Sequence, residues 1–415
     1  MATRQTNMRS TAPQSGGQAM ITMLGVAQIC SWGTLYYAFP LIAEAMGAEL
    51  GWSKDLLYGA ASLGLALAGF AGYPIGAAID AGRGRMVMTA SSVAAGILFL
   101  AWSQLSSIWA FYLVFGAIGC LQAGTLYDPA FAVVARRFGP LNARRAITQL
   151  TLWGGFASTV FVPLIQWLLD GYGWRGALVV LGAVNLVPCA LLYFMAIDPA
   201  RDHVEPPQPA PATGRREESA VREAMRKPVF WALALAFVAY ATAASALTFH
   251  FYPLLIERGL GADTVVAVFA VIGPAQVAGR VVVWLFAANA SVGRIGSLVV
   301  LAFPVSILGF ALAPPEFLPL ALTAAIYGAA NGMMTIVRGL AVPEMVSRRA
   351  YGAINGALAT PTRFVQALAP VAAAWLWTLG GDYDLAVVAI FIATTLLTVG
   401  FWAAALLARG SPVRD

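Results

Sequence analysis

Twelve apolar runs follow one another along the chain, each closed by charged residues or by proline and glycine. Residues 18–43, 55–79, 86–105, 108–135, 145–169 and 174–196 make a first group of six. Residues 229–256, 264–288, 294–313, 317–340, 351–378 and 384–408 make a second. A helix crosses the hydrocarbon core of a bilayer with about 20 mostly apolar residues. The pattern therefore predicts an all-α membrane protein of twelve transmembrane helices.

Residues 197–228 break the pattern between the two groups. They carry Pro206, Pro207, Pro209 and Pro211, then a charged stretch from Arg215 through Glu218 to Lys227. Such a segment cannot bury enough apolar surface to pack, so it reads as a solvated linker. The predicted organisation is a tail over 1–17, a six-helix bundle over 18–196, the linker over 197–228, a second bundle over 229–408 and a tail over 409–415.

The short connections carry alternating charge. One set holds Arg83 and Arg85, then Arg136, Arg137, Arg144 and Arg145, the linker, Arg294, Arg348, Arg349 and Arg409. The other holds Glu44, Glu49, Lys54, Asp55, Asp170, Arg175, Glu257, Arg258, Asp263, Glu316, Asp382 and Asp384. Cytoplasmic loops are enriched in Lys and Arg. The Arg-rich set is thus expected on the cytoplasmic side of a bacterial inner membrane, with both termini cytoplasmic.

Composition sharpens this. Of 415 residues 60% are apolar and 11% charged, with a mean hydropathy of +0.76. A soluble protein is about 25% charged, so too few charges exist here to cover a water-soluble surface. The net charge of +6 comes almost wholly from arginine and follows loop topology, with no nucleic-acid partner implied. Cys30, Cys120 and Cys189 lie in apolar runs and read as small buried residues. No Walker loop, dinucleotide fingerprint, His/Cys cluster or Ser/His/Asp arrangement is present, so neither a cofactor nor enzyme chemistry is expected.

The halves repeat one another. Residues 37–44, YAFPLIAE, recur as 250–257, HFYPLLIE, at an offset of 213. Phe115-Gly116-Ala117 before Arg136-Arg137 recurs as Tyr327-Gly328-Ala329 before Arg348-Arg349, at an offset of 212. Parallel six-helix repeats about an axis along the membrane normal are a transporter architecture.

Residues 76–85, GAAIDAGRGR, between the second and third runs resemble the loop motif of the major facilitator superfamily. Further residues resemble its monocarboxylate-porter and oxalate/formate-antiporter branch. These are Tyr37-Ala-Phe-Pro40, Gly51-Trp52-Ser53, Gly173-Trp174-Arg175 and Gly279-Arg280. The resemblance implies two pseudo-symmetric bundles that rock in alternating access, carrying small organic carboxylates with protons or by exchange. Proton-coupled monocarboxylate porters have Lys after the first-helix Phe-Pro and Asp one turn before the eighth-helix Arg. Leu41 and Gln276 stand there instead.

Arg280 and Arg363 fall about midway along the eighth and eleventh helices. A central arginine costs about 2.5–3.5 kcal/mol on insertion scales. Asp128 is the one acid well inside a run, so central cations outnumber central anions and an anionic substrate fits. A guanidinium binds carboxylate through a planar fork and keeps its proton. Substrate contacts are expected from Arg280, Arg363, Gln276, Tyr36 and Tyr37. By repeat depth Asp128 faces Arg338, which predicts a bridge between the halves; the bland alternative is a static packing bond. His250 is either a proton-exchanging group or a hydrogen-bonded structural one. Asp80, with Arg83 and Arg85, reads as a conformational latch. The expected function is secondary active transport of small organic anions, mono- or dicarboxylates, by a monomer in the lipid bilayer, with protons or a counter-transported anion as partners. An exporter of hydrophobic compounds and a membrane sensor are the competing readings.

Overall fold

The computed structural model describes residues 15–202, 221–286, 290–347 and 351–410. His203, the proline and charged core of the linker, Arg348 and Arg349 lie outside the described residues. Among the described residues the chain is helical, with no strand.

The first helix, α1, runs through Ser15–Trp32, a π-turn at Gly33–Tyr37 and Ala38–Leu50. It is followed by α2 (Lys54–Ala78) and α3 (Gly84–Trp102). Next, α4 starts as Ile108–Thr125, breaks at extended Leu126, and resumes at Tyr127 to end before Gly139. Helix α5 covers 140–171 with a turn at 155–156, and α6 covers 174–196 with a π-turn at Asn185–Cys189. The second half has α7 (Pro228–Glu257), α8 (Ala262–Phe286), α9 (Val292–Leu312), α10 (Phe317–Met345), α11 (Tyr351–Gly380) and α12 (Asp384–Gly410).

Nine stretches among the described residues are long and apolar enough to cross a membrane. Two of them, Lys54–Trp102 and Arg145–Arg201, each hold two passes. The chain reverses there at Gly82 (φ 82°) and Gly173 (φ 65°), and again between α4 and α5 at Gly139 (φ 67°). An L-residue in that left-handed region costs about 1–2 kcal/mol, which only glycine escapes. The remaining pass is α11, whose Thr360, Thr362, Arg363 and Gln366 dilute its apolarity.

The repeat has a structural counterpart. A Cβ on Gly119 of α4 would run into the backbone of Gly64 in α2, and one on Gly332 of α10 would run into the backbone of Gln276 in α8. Gly64 and Gln276 differ by 212 positions, Gly119 and Gly332 by 213. Equivalent helix pairs therefore pack backbone to backbone at equivalent depths, the small-residue contact expected where lipid gives helices no hydrophobic drive to associate. Helix α7 is central, with 67% of its most apolar window enclosed, against 17% for the α2–α3 stretch at the periphery.

Candidate functional site

Three irregularities in the first half set the site. The π-turn in α1 holds Tyr36 and Tyr37; such bulges insert a residue and re-aim side chains. The carbonyl of Leu35 beside it accepts from Gln122 Nε2 at 2.8 Å. The break at Leu126 frees the Thr125 carbonyl, which accepts from Gln28 Nε2 at 2.7 Å and the Tyr193 hydroxyl at 2.9 Å. Non-helical backbone inside a membrane survives only when neighbouring groups satisfy it in this way. The third irregularity is the Gly155–Phe156 turn of α5, whose Gly155 N–H donates to the Thr151 carbonyl at 3.2 Å.

Arg280 reaches that carbonyl. Its Nη1 donates to Thr151 O at 2.7 Å and its Nε to Gly332 O at 3.4 Å, and the residue is only 8% exposed. Glycine at 279 places α8 directly against Ala329 of α10, which sets the guanidinium beside Gly332. Among the described residues no carboxylate lies within 4 Å of it. Arg280 thus belongs to the second half, is held partly by the first, and has donors to spare with no counter-charge among the described residues.

Aromatic rings from both halves surround this point. Trp32 meets Tyr127 at 4.9 Å, Tyr36 at 5.2 Å and Tyr37 at 6.4 Å between centroids. Tyr36 meets Phe249 of α7 at 5.1 Å and Tyr37 meets Phe269 of α8 at 6.0 Å, both edge to face. The Trp32 indole nitrogen is buried with no hydrogen-bond partner among the described residues. Gln276 is buried one turn before Arg280, and its amide makes no hydrogen bond among the described residues.

Arg363 and Asp128 are placed differently from expectation. Arg363 Nη2 lies 2.9 Å from Asp128 Oδ2, joining α11 to α4 across the halves, with both side chains more than half exposed. The expected Asp128–Arg338 bridge is not formed. The break at Leu126 turns the start of the next α4 segment, and sequence offset fixes depth but not direction around a helix. Arg338 instead sits over the rings of Phe237 (5.6 Å) and Tyr240 (5.5 Å). Arg363 in this conformation therefore carries a neutralising partner, while Arg280 has none among the described residues.

Asp80 offers its backbone. Arg136 Nη1 donates to the Asp80 carbonyl at 2.6 Å, and the exposed Asp80 carboxylate has no bond among the described residues. Arg85 pairs with Asp198 at 3.3 Å and Arg136 with Asp202 at 3.0 Å. These contacts tie the α2–α3 turn and α4 to the segment after α6, all within the first half.

At the other end the halves are joined by a network that the sequence did not reveal. Lys54 pairs with Glu44 at 3.5 Å, donates to the Tyr383 hydroxyl at 3.4 Å, and lies over the rings of Trp377 (4.7 Å) and Tyr383 (4.9 Å). The Tyr383 hydroxyl and His250 Nδ1 are 2.9 Å apart, and His250 Nε2 is 2.8 Å from the Pro370 carbonyl. With Nε2–H donating to the carbonyl and Nδ1 accepting, neutral His250 is fully satisfied. Its ring stacks on Tyr58 of α2 at 4.0 Å. Proline at 370 has no N–H, and Ser245 donates to the Gln366 carbonyl one turn earlier at 2.8 Å. The hydrogen-bonded structural reading of His250 fits this geometry. Lys54 and Glu44 read as loop charges in sequence because they lie next to the connection between α1 and α2.

A multi-pass helical protein of two repeated halves, with a buried arginine between them that has no acid partner among the described residues, has the architecture of a membrane transporter. The chain belongs to the Major Facilitator Superfamily, whose family profile matches residues 24–313. It is 29% identical to monocarboxylate transporter 13 of Bos taurus over 356 residues, 81% of this chain and 78% of that protein. It is 27% identical to monocarboxylate transporter 11 of Homo sapiens over 362 residues, 84% of this chain and 68% of that one. A 31% match to monocarboxylate transporter 13 of Rattus norvegicus spans 195 residues, 44% of this chain and 43% of the rat protein. Among solved structures, a bacterial homolog of the human lysosomal transporter Spinster, inward-facing and unoccupied, superposes with a TM-score of 0.71 at 16% identity, covering 97% of this chain and all of that one. The nucleoside transporter NupG gives 0.68 at 14% identity, covering 96% of this chain and 98% of that one. These two share the fold.

Proposed function

We propose that the protein is a secondary active transporter of small organic carboxylates, working by alternating access with Arg280 as the charge anchor. The observation that carries this is the Arg280 guanidinium, buried at the contact between the halves and bonded, among the described residues, only to the carbonyls of Thr151 and Gly332. A neutral carbonyl offers the guanidinium no opposite charge, whereas a carboxylate adds ion-pair attraction and a bidentate match to its planar fork. An arriving anion draws the guanidinium off Thr151, so occupancy and the contact between halves become linked. The relatives' names, monocarboxylate transporters, support the same substrate class.

In this reading Tyr36, Tyr37 and Gln276 line the anion site, and Trp32 and Tyr127 join them. Arg363 acts as a bridge partner of Asp128 while the halves hold their present arrangement. The Arg85 end is cytoplasmic in an inner membrane, by the positive-inside rule. Proton symport and anion exchange both fit this site. Arg280→Gln in proteoliposomes is expected to lower carboxylate uptake at least about 10-fold, the equivalent of 1.4 kcal/mol, with the folded fraction unchanged by size-exclusion profile. Uptake at the wild-type rate overturns the assignment.

A further inference from the structure

A second cation near the site has no acid beside it. Arg338 lies on α10, and among the described residues no carboxylate comes within 4 Å of it. Its guanidinium carbon sits 5.5 Å from the Tyr240 ring, and the Tyr240 hydroxyl donates to Asn331 Oδ1. Asn331 adjoins Gly332, whose carbonyl accepts from Arg280 Nε at 3.4 Å. Tyr240 thus lies against Arg338 and, through Asn331, next to the residue that holds Arg280, and among the described residues neither guanidinium has a carboxylate beside it.

The wall that carries Arg338 is polar. Asn331, Thr335 and Arg338 are spaced four and then three residues apart, so they share one face of α10. Asn331 and Arg338 are half-buried and Thr335 is exposed. A stripe of amide, hydroxyl and guanidinium along a membrane helix is too costly to face lipid and marks a wet cavity. Thr335 Oγ1 donates to the Gly332 carbonyl at 2.7 Å, the same acceptor that Arg280 Nε uses. The stripe therefore begins at the Arg280 anchor and runs to Arg338, about 9 Å further along the axis at 1.5 Å per residue.

We propose that Arg338 is the second anchor of the substrate site, and that the substrate class is dianionic, a dicarboxylate spanning Arg280 and Arg338 past Tyr240. This rests on the Arg280 reading and extends it. A single cation would serve a monocarboxylate. The second one, uncompensated on a wet wall, makes dianion binding favourable, because long arginine side chains adjust their reach and each offers a planar fork. Arg363 cannot take this role in the present arrangement, since Asp128 already holds it.

The test is a ligand-induced thermal shift and competition binding on the purified full-length protein, with succinate and butyrate as probes of equal carbon number. Wild type is expected to bind succinate more tightly than butyrate. Arg338→Gln is expected to weaken succinate at least about 10-fold, in line with loss of one charge-assisted contact, while butyrate changes less than about two-fold. Arg338→Lys, which keeps charge but not the fork, should recover part of the succinate affinity. Arg280→Gln should weaken both ligands. An unchanged succinate-to-butyrate ratio in Arg338→Gln, with both ligands lost in Arg280→Gln, overturns the second anchor and leaves the first standing. Retention of both ligands by Arg280→Gln overturns the anchor reading itself. If Arg338→Gln does not fold, Arg338→Lys carries the comparison with a smaller expected shift, and an unchanged ratio there is equally fatal.

Discussion

At the residue scale, Trp32 separates packing from recognition. Its ring contacts Tyr36, Tyr37 and Tyr127, yet its buried N–H has no acceptor among the described residues. An orphaned buried donor costs about 1–3 kcal/mol, and a donor kept at that cost near the proposed anion anchor is one that a bound acceptor would satisfy. Trp32→Phe keeps an aromatic ring and deletes the donor. Differential scanning fluorimetry is expected to show the ligand-free Tm equal to or above wild type, and a smaller upward shift on adding a bound carboxylate. A lower ligand-free Tm with an undiminished shift would assign Trp32 to packing alone. Arg280 is the opposite case: its place was readable because a mid-helix arginine is too expensive to be incidental. The position of Arg363 along its helix was equally readable, but its partner was not.

Helix pairs and helix breaks decide where those residues point. The glycine contacts Gly119–Gly64 and Gly332–Gln276 are the same joint used twice. A methyl group on Gly119 or Gly332 meets opposing backbone, which cannot rotate aside. Gly119→Ala is expected to destabilise by about 1–3 kcal/mol, the usual range for overpacking. Gly69→Ala, in α2 with open space around it, is expected to be neutral or stabilising by up to about 1 kcal/mol. Thermal denaturation of both variants in the same detergent checks the contrast, which disappears if the glycines are merely filler. The spans and their repeat were legible because hydropathy and offset survive in one dimension. The direction of a side chain after a π-turn or an extended residue such as Leu126 is not encoded by spacing. For that reason depth alone paired Asp128 with Arg338, although Arg363 is its partner. Lys54 was hidden for a related reason: next to a connection, a charge that reaches across the halves looks like one that only sets topology.

At the scale of the whole molecule, two sets of contacts flank Arg280 between the halves. Toward one end lie Lys54–Tyr383, the Tyr58–His250 stack and the Ser62 hydroxyl accepting from Val371 N at 3.1 Å. Toward the other lies Asp128–Arg363. In an alternating-access cycle these sets must break in turn, so weakening one shifts the balance toward the state in which it is already broken. Lys54→Met removes the contacts to the Trp377 and Tyr383 rings across the halves, worth about 0.5–1 kcal/mol, while the Lys54–Glu44 pair it also removes lies within the first half. About 1 kcal/mol moves a two-state ratio about 5-fold. In a background freed of Cys30, Cys120 and Cys189, a cysteine at Ser62, only 7% exposed between α2 and α11, reports that end. Its alkylation by an impermeant maleimide should accelerate several-fold in Lys54→Met. Asp128→Asn should slow it, because loosening the far set favours closure at the Lys54 end. Were both substitutions to change labelling in the same direction, the two sets would not be alternating closures, and the transport cycle would need other contacts to separate its states.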